Sequence, residues 1–299
     1  MISTRDLQRC YLEACRLDVE AFKPGNVSVH SPGHGMTAAD FLRSAEVSAP
    51  WLCREDLGLG ERIYRAAVAS FEAVGCNTNL GILLLSAPLL MAARMPGGSS
   101  LRERLRRVLQ TTTREDADWV YRAIRRVRPG GLGEVDREDV CNPPTVTLRE
   151  AMALAKNHDR VAFNYTFNFK DVYELGIPGY HNGVYRWGDG CWTAVLVFVT
   201  FLRQIPDTHV ERKFGKRYTG MIQAEMAQLE QRLLGCDTPE ALVPEIRRID
   251  ARFKEVGINP GTTADLTVAT LLAAALDQRL SREGSGMVTV TGFRCPVTD

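Results

Sequence analysis

Residues 75–93, GCNTNLGILLLSAPLLMAA, decide the fold. The stretch opens with small polar residues that favour a helix start and continues as a run that is apolar on every side. The run Gly81–Ala93 is shorter than the roughly 18 residues needed to cross a bilayer, so we predict a helix buried at the centre of the protein. A second apolar run, Thr193–Leu202, indicates another core helix, although the β-branched residues at 194–200 would also suit a strand.

The segments around these runs repeat apolar residues at spacings of three and four, which is typical of one face of a helix. Such faces start at Leu7, Ile63, Trp119, Ile222 and Val243, with a shorter one at Leu148. Pro and Gly punctuate the joints, and no series of alternating strands is visible. We therefore predict an all-α fold, a single compact domain of about ten helices over residues 1–280 around a central apolar helix.

Two segments stand apart from this helical pattern. A C-terminal tail is predicted over residues 281–299, with a short strand at Met287–Val290. The loop from Gly130 to Thr147 is long enough to cover a site.

Composition excludes several classes of protein. The 37 Lys and Arg nearly balance the 36 Asp and Glu, for a formal charge of +1, so we expect neither a nucleic-acid nor a membrane partner. The eight cysteines are irregularly spaced without a CxxC pair, which fits free thiols in a reducing compartment. Residues 1–22 carry charges throughout, so no signal peptide is predicted, and we expect a cytoplasmic protein.

The first polar junction follows the first predicted helix. Lys23 precedes Pro24-Gly25, and Asn26 comes next. Lys23 can be interpreted as a cation that caps the helix end, or as a side chain presented together with Asn26 to a phosphate. His34 lies in a Gly-containing loop shortly afterwards and is expected to contact substrate.

Two further junctions open helices. Three small polar residues precede the apolar run: Asn77, Thr78 and Asn79. A helix cap needs one such residue, so three in a row favour an anion held by free backbone N–H groups. A similar group opens the last predicted helix: Thr262, Thr263 and Asp265. These types also suit a cap and an acidic first turn, so a structural and a chemical interpretation stay open.

The remaining polar junction follows the second apolar run in the sequence. Asp207 and Glu211 are four residues apart and share a helical face, where two carboxylates can hold Mg²⁺ with water and substrate phosphates. Thr208 lies beside them, and Arg212 and Lys213 follow as candidate phosphate ligands. A capping Asp207 followed by surface charges is the alternative.

Taken in order, these junctions resemble the triphosphoribosyl-dephospho-coenzyme A synthase family. Residues 23–27 (KPGNV) look like its opening KPG motif, and residues 41–45 (FLRSA) are similar to its Phe-x-x-Ser-Ala helix. Residues 77–81 (NTNLG) stand where the family has NTHKG. Residues 207–215 resemble its DDTN segment with a following Arg and Gly, and residues 261–266 (GTTADL) resemble its closing GGSADLL.

The chain also departs from the family pattern. The His-Lys is Asn79-Leu80 here, the Asp-Asp is Pro206-Asp207, and His-x-Asp-Met survives only as His34-Gly35-Met36. These changes remove one cation and one carboxylate from the residues that are expected to bind the polyphosphate. The motif at residues 77–81 and the PGGLG at 129–133 are similar to those of a divergent branch of the family found in archaea and methylotrophs. By association, this similarity suggests a coenzyme of one-carbon metabolism.

The resemblance implies a transferase that moves a triphosphoribosyl group from ATP to a ribose hydroxyl of dephospho-CoA and releases adenine. Two alternatives stay open: a nucleotide-dependent transferase that makes a tetrahydromethanopterin-type coenzyme, and a non-catalytic nucleotide-binding protein. ATP is expected as a substrate with Mg²⁺, and a homodimer is compatible with this interpretation.

The resemblance also suggests roles for the polar residues. Asp207 and Asp265 are the candidate bases or metal ligands, with Glu211 as a further ligand. The candidate phosphate ligands are Lys23, Arg212 and Lys213. Substrate orientation or contact is assigned to Asn26, His34, Asn77, Thr78, Asn79, Thr208, Thr262 and Thr263.

Overall fold

The computed structural model describes residues 2–97, 100–127 and 139–285, and these residues form fourteen α-helices. In chain order the helices are α1 Thr4–Glu20, α2 Ala38–Leu52, α3 Leu59–Val74, α4 Leu80–Arg94, α5 Leu101–Gln110, α6 Arg114–Val127, α7 Leu148–Ala155, α8 Arg160–Thr166, α9 Ile177–Trp187, α10 Cys191–Gln204, α11 Thr208–Phe214, α12 Thr219–Leu234, α13 Val243–Glu255 and α14 Gly261–Ser285. A π-helical turn at Val172–Gly176 leads into α9, and short 3₁₀ turns precede α12 and α13.

The all-α prediction is confirmed, whereas the predicted count of about ten helices was too low. The helices that the periodicity missed include α8 and α11, which have seven residues each. Seven residues make fewer than two turns, too short for an apolar face to repeat.

Helices α4, α10 and α14 contribute many of the buried residues of the core. Helix α4 is buried on nearly every side, as expected of a central apolar helix. Helix α14 packs against α4, α1 and α10. The run at 194–200 lies within α10 and is buried, so the helical interpretation is confirmed and the strand interpretation is wrong.

Side-chain caps fix where several helices begin. Helix α2 begins with a capping box in which Thr37 and Asp40 exchange hydrogen bonds. Asp159 caps α8 and Asp207 caps α11, each through its carboxylate. These caps set the helix starts that surround the cavity described below.

Helix α14 continues to Ser285, and the division into a domain over residues 1–280 and a C-terminal tail stays a prediction. The predicted strand at Met287–Val290 lies outside the described residues, as do residues 130–138 of the predicted loop from Gly130 to Thr147 and the PGGLG stretch at 129–133. No helix of the described part is both long and apolar enough to cross a membrane.

Candidate functional site

Several helix starts and the loop after α1 converge on a cavity of about 240 Å³. The lining includes the apolar side chains of Val27, Phe41, Leu84, Ile124 and Val161. It also includes polar groups, with three carboxylates and one guanidinium among the lining side chains: Asp18, Asp159, Asp265 and Arg212. The cavity therefore offers both apolar surface and charged groups to a ligand.

Asp265 is the carboxylate with the most unusual environment. It lies on α14, lines the cavity and receives no hydrogen bond from any described residue. Burial, and then the charges of Asp207 and Asp18, raise its pKa well above the usual range for a carboxyl. The carboxyl lies against the backbone of Gly81, where an added Cβ would be 2.0 Å from Oδ2. Asp265 thus faces the cavity without a hydrogen-bond partner among the described residues.

Asp18 and Lys23 form a buried ion pair beside the same cavity. Lys23 Nζ is 3.0 Å from Asp18 Oδ1, and the Lys23 side chain is fully buried. Burial lowers the pKa of Lys23 and raises the pKa of Asp18, while each charge partly offsets the shift of the other. Of the two, only Asp18 lines the cavity. Lys23, predicted to bind phosphate, therefore acts here as the counter-ion of Asp18.

Asp207 uses both carboxylate oxygens to join two helices. Its Oδ1 accepts a hydrogen bond from the backbone N–H of Val210 at 3.0 Å. Its Oδ2 accepts from the backbone N–H and the hydroxyl of Thr263, at 2.7 and 2.8 Å. Asp207 is buried and does not line the cavity. Its contacts make it a cap that fixes α11 to the start of α14.

The cationic side of the cavity comes from α11. Arg212 lines the cavity and donates to Asp159 Oδ2 at 2.7 Å, which partly neutralises it. His209 lines the cavity one turn earlier, and burial lowers its pKa; the Asp207 charge opposes this shift and nearby Arg212 reinforces it. His209 is therefore a neutral imidazole at pH 7.

Four of the predicted orienting residues line the cavity, each with a local hydrogen bond. Asn26 donates to Asn259 Oδ1 at 3.4 Å, and Asn77 accepts from the backbone N–H of Leu80 at 3.2 Å. The hydroxyl of Thr78 contacts Ser44 Oγ at 2.6 Å, and that of Thr262 contacts Thr208 Oγ1 at 3.1 Å. Each side chain is held in a fixed orientation facing the cavity.

The other predicted contact residues do not line the cavity: His34, Asn79, Thr208, Glu211, Lys213 and Thr263. Asn79 donates to Ser70 Oγ at 3.2 Å, and Glu211 accepts from Thr219 at 2.9 Å. Lys213 Nζ donates to the carbonyl of Gly257 at 3.1 Å. These residues stabilise the helices and loops around the cavity, and other residues line its interior.

Comparison with known proteins gives a consistent result. Residues 4–284 match the family model of ATP:dephospho-CoA triphosphoribosyl transferase. A solved structure from Archaeoglobus fulgidus, described as a candidate triphosphoribosyl-dephospho-coA synthase, is similar with a TM-score of 0.60 and 25% identity, covering 78% of this chain and 98% of that one. No curated protein matches the chain.

The chain belongs to the ATP:dephospho-CoA triphosphoribosyl transferase family. The family resemblance of its junctions is thereby confirmed. Family membership makes the chain an ATP-dependent transferase and supports the catalytic interpretation over the non-catalytic one.

The residues of this transferase's cavity that sequence reasoning missed include Asp18, Asp159 and His209. Asp18 had a usable signal, because it lies four residues after Ala14 on the apolar face of α1, where a charge is costly without a partner. Asp159 and His209 had none, since each lies in an ordinary helix start.

The donor set of the cavity fits Mg²⁺ only in part. The described residues contain no group of three His, Cys, Asp or Glu that could hold a metal ion, so the predicted set Asp207, Glu211 and Asp265 does not form such a group. Asp265 and Asp18 both line the cavity, and their charges interact. Two carboxylates suit Mg²⁺, which keeps several waters and takes further oxygens from substrate phosphates.

Proposed function

We propose that this cavity binds ATP and transfers its triphosphoribosyl group to a ribose hydroxyl of dephospho-CoA, with release of adenine. The observation that carries the proposal is Asp265, a carboxylate that faces the cavity, has a raised pKa and receives no hydrogen bond from the described residues. Such a group can accept a proton near neutral pH and can stabilise a developing positive charge.

The proposed reaction needs both properties. The attacking hydroxyl oxygen forms a bond to the ribose C1 while the bond from C1 to adenine breaks, and adenine leaves with the electron pair. Glycosyl transfer of this kind passes through a cationic, oxocarbenium-like sugar. We assign Asp265 to accept the hydroxyl proton and to stabilise the sugar cation. Asp18, held by Lys23, adds negative charge on the same side.

The two kinds of lining side chain suit the two ends of the nucleotide. The apolar side chains of Val27, Phe41 and Ile124 offer a dry surface for a base. Arg212 offers a guanidinium to the phosphates. The N-terminal ends of α4 and α14, which reach the cavity at Gly81 and Thr262, present the positive ends of their dipoles.

Mg²⁺ would be held by Asp265 and Asp18 together with phosphate oxygens, and its contribution would be to neutralise the polyphosphate. In this scheme Asp207 is a positioning residue, because its hydrogen bonds fix α11 and α14, which carry Arg212 and Asp265.

The direct test supplies the protein with ATP, Mg²⁺ and dephospho-CoA and measures free adenine by chromatography. We expect adenine in equal amount to a product whose mass equals the two substrates minus adenine. Release of ADP or pyrophosphate in place of adenine would contradict the proposal. The Asp265→Asn variant should reduce adenine release about a hundredfold or more.

A second candidate acceptor is favoured by one feature of the cavity. Leu80 lines the cavity at the start of α4, where the family motif carries a lysine, so this position supplies no cation to the lining. A precursor of a one-carbon, tetrahydromethanopterin-type coenzyme could then replace dephospho-CoA as acceptor. A panel of acceptors with ATP, scored by adenine release, separates the two candidates.

We expect the reaction to take place in the cytoplasm. The free cysteines of the described part include Cys10, Cys15 and Cys53, which are buried, as expected in a reducing compartment. The homodimer stays a prediction, and light scattering of the purified protein measures it.

A further inference from the structure

The loop between α1 and α2, residues 21–37, forms one side of the cavity and is here called the substrate loop. Asn26, Val27 and Met36 of this loop line the cavity. Apart from turns and two isolated β-bridges, the loop has no regular structure of its own. Hydrogen bonds within the loop join Ser28 to Ser31 and Gly33 to Met36, whereas its position against the cavity depends on contacts with other parts of the chain.

Helix α13 provides those contacts through Asp250. Asp250 Oδ1 accepts a hydrogen bond from the backbone N–H of Gly25 at 2.8 Å, and Oδ2 accepts from the hydroxyl of Ser31 at 2.6 Å. Asp250 is buried, with 4% of its surface exposed. One buried carboxylate thus binds the loop at two points six residues apart.

Lys254, one turn later on α13, completes the arrangement. Its Nζ is 3.0 Å from Asp250 Oδ1 and donates to the carbonyl of Ser31 at 3.0 Å and to its hydroxyl at 2.6 Å. The lysine therefore neutralises the buried carboxylate and contacts the loop itself.

Gly25 allows the close packing between loop and helix. Its φ of +78° lies in the left-handed region, and an added Cβ would be 3.0 Å from Phe253 Cδ2 and 3.1 Å from Pro260 Cδ. His34 Nε2 lies 2.9 Å from the Gly25 carbonyl oxygen and joins the far part of the loop to the same point.

We propose that Asp250 and Lys254 are positioning residues for nucleotide binding, although neither lines the cavity. They hold the substrate loop so that Asn26, Val27 and Met36 face the nucleotide before it arrives. A loop that is ordered in advance loses less entropy on binding, so the effect is on affinity more than on the chemical step. The inference rests on the proposed function only for the identity of the ligand.

The test compares Asp250→Ala and Ser31→Ala with a control on the same helix, Glu245→Gln. Glu245 forms an ion pair with Arg232 at 2.7 Å and does not touch the loop. Ser31→Ala leaves the Asp250–Lys254 pair intact, so it serves if Asp250→Ala does not fold. Ser31→Thr keeps the hydroxyl and is the conservative rescue.

Three quantities are measured: Kd for ATP with Mg²⁺ by calorimetry, KM and kcat from adenine release, and hydrogen exchange of the amides at residues 25–36. We expect Asp250→Ala to raise Kd and KM about tenfold or more, in line with a buried charged hydrogen bond, while kcat changes less than about threefold. Ser31→Ala should have a smaller effect of the same kind, and Ser31→Thr should restore binding. Exchange should rise in the loop and stay unchanged in α14.

The proposal is overturned if exchange in the loop rises while Kd stays the same, or if Glu245→Gln weakens binding as much as Asp250→Ala does. It is also overturned if kcat falls and Kd does not change. Calorimetry and exchange do not need turnover. If the wild-type protein binds ATP but releases no adenine, the proposed reaction fails, and the positioning role is still judged by these two measurements.

Discussion

A carboxylate that faces a cavity without a hydrogen-bond donor costs the folded state free energy whenever it is ionised. Asp265 is such a group, and its pKa is raised by burial and by the charges of Asp207 and Asp18. The stabilisation that its neutral form gives is fully present below the unfolded pKa and is lost as the pH rises through the higher folded pKa. The same titration produces the base that the proposed reaction needs.

This titration gives a prediction for Asp265→Asn. At neutral pH the variant should have a larger free energy of unfolding than the wild type, because folding of the wild type must either bury an ionised carboxyl or take up a proton. The difference should disappear in acid, below the ordinary carboxyl value of 3.8. In the pH–rate profile of the wild type, adenine release should rise with pH above the ordinary carboxyl pKa. The variant should lack this rising limb of the profile. Urea unfolding and rate measurements across the pH range test both parts.

Asp277→Asn is the matched control, since Asp277 is also a partly buried carboxylate on α14, with a raised pKa, but does not line the cavity. This control should keep the acid limb of the rate. If Asp277→Asn loses the limb and Asp265→Asn keeps it, the base has been misassigned.

Gly81 gives a second prediction at the scale of one residue. Alanine is favoured over glycine in a helix by about 1 kcal/mol, yet a Cβ at position 81 would lie 2.0 Å from Asp265 Oδ2. We expect Gly81→Ala to displace the carboxylate and to reduce kcat about a hundredfold or more, with a change in Tm of only a few degrees.

The control for this variant is Gly220→Ala in α12, where nothing lies within 4 Å of an added Cβ. It should leave kcat unchanged. A Gly81→Ala enzyme with wild-type kcat would show that the position of the Asp265 carboxyl is unimportant.

The sequence identified the polar residues that are candidates for the site, but it only partly predicted the role of each one. Asp207 and Asp265 both follow a loop and precede apolar residues, and a carboxylate there can cap a helix or serve a ligand. Coordinates separate them, because Asp207 caps α11 while Asp265 is the fifth residue of α14, beyond the first turn in which it was predicted. The exact helix start, which sequence reading gives poorly, was the missing fact.

At the scale of elements, the start of α11 is joined to the start of α14 by Asp207. Three hydrogen bonds converge on this buried carboxylate, from Val210 and from the backbone and hydroxyl of Thr263. We expect Asp207→Ala to lower the free energy of unfolding by about 2–4 kcal/mol, because buried donors lose their acceptor. Urea denaturation measures this loss.

Asp237→Ala, at an exposed position, is the control and should change stability by less than about 0.5 kcal/mol. A capping role also predicts that folded Asp207→Ala keeps more of its turnover than Asp265→Asn does. Full stability combined with complete loss of turnover would instead support a catalytic Asp207.

Helices with a repeating apolar face, such as α1, α3, α6, α12 and α13, followed from the sequence because burial of one face leaves a periodic pattern. Helices α8 and α11 did not follow, since seven residues are too few to show one. Yet both begin at the cavity. The elements that are hardest to predict are therefore among those that carry the site.

At the scale of the whole molecule, the cavity joins positions from Asp18 to Asp265, which are far apart in the chain. Local periodicity contains no information about this convergence, because it reports only how each helix faces the core. The order of the motifs suggested the family, and only this family resemblance suggested that the junctions lie together at one site. The structure brings these four junctions together at one cavity, from the substrate loop, α4, α11 and α14, and adds the start of α8 to them.

A ligand in such a cavity should stabilise the entire chain, because it contacts helices from both ends of the sequence. Any ligand that binds only the folded state raises the free energy of unfolding, by about 2.7 kcal/mol at one hundred times Kd. We expect ATP with Mg²⁺ to raise Tm by several degrees in a single transition. ATP with a chelator should raise it less, because the charges of Asp265 and Asp18 then repel the phosphates without a cation between them. Asp265→Asn should narrow the gap between the two conditions, since it removes one of those charges and one oxygen ligand, and an equal gap in both proteins would place the metal elsewhere.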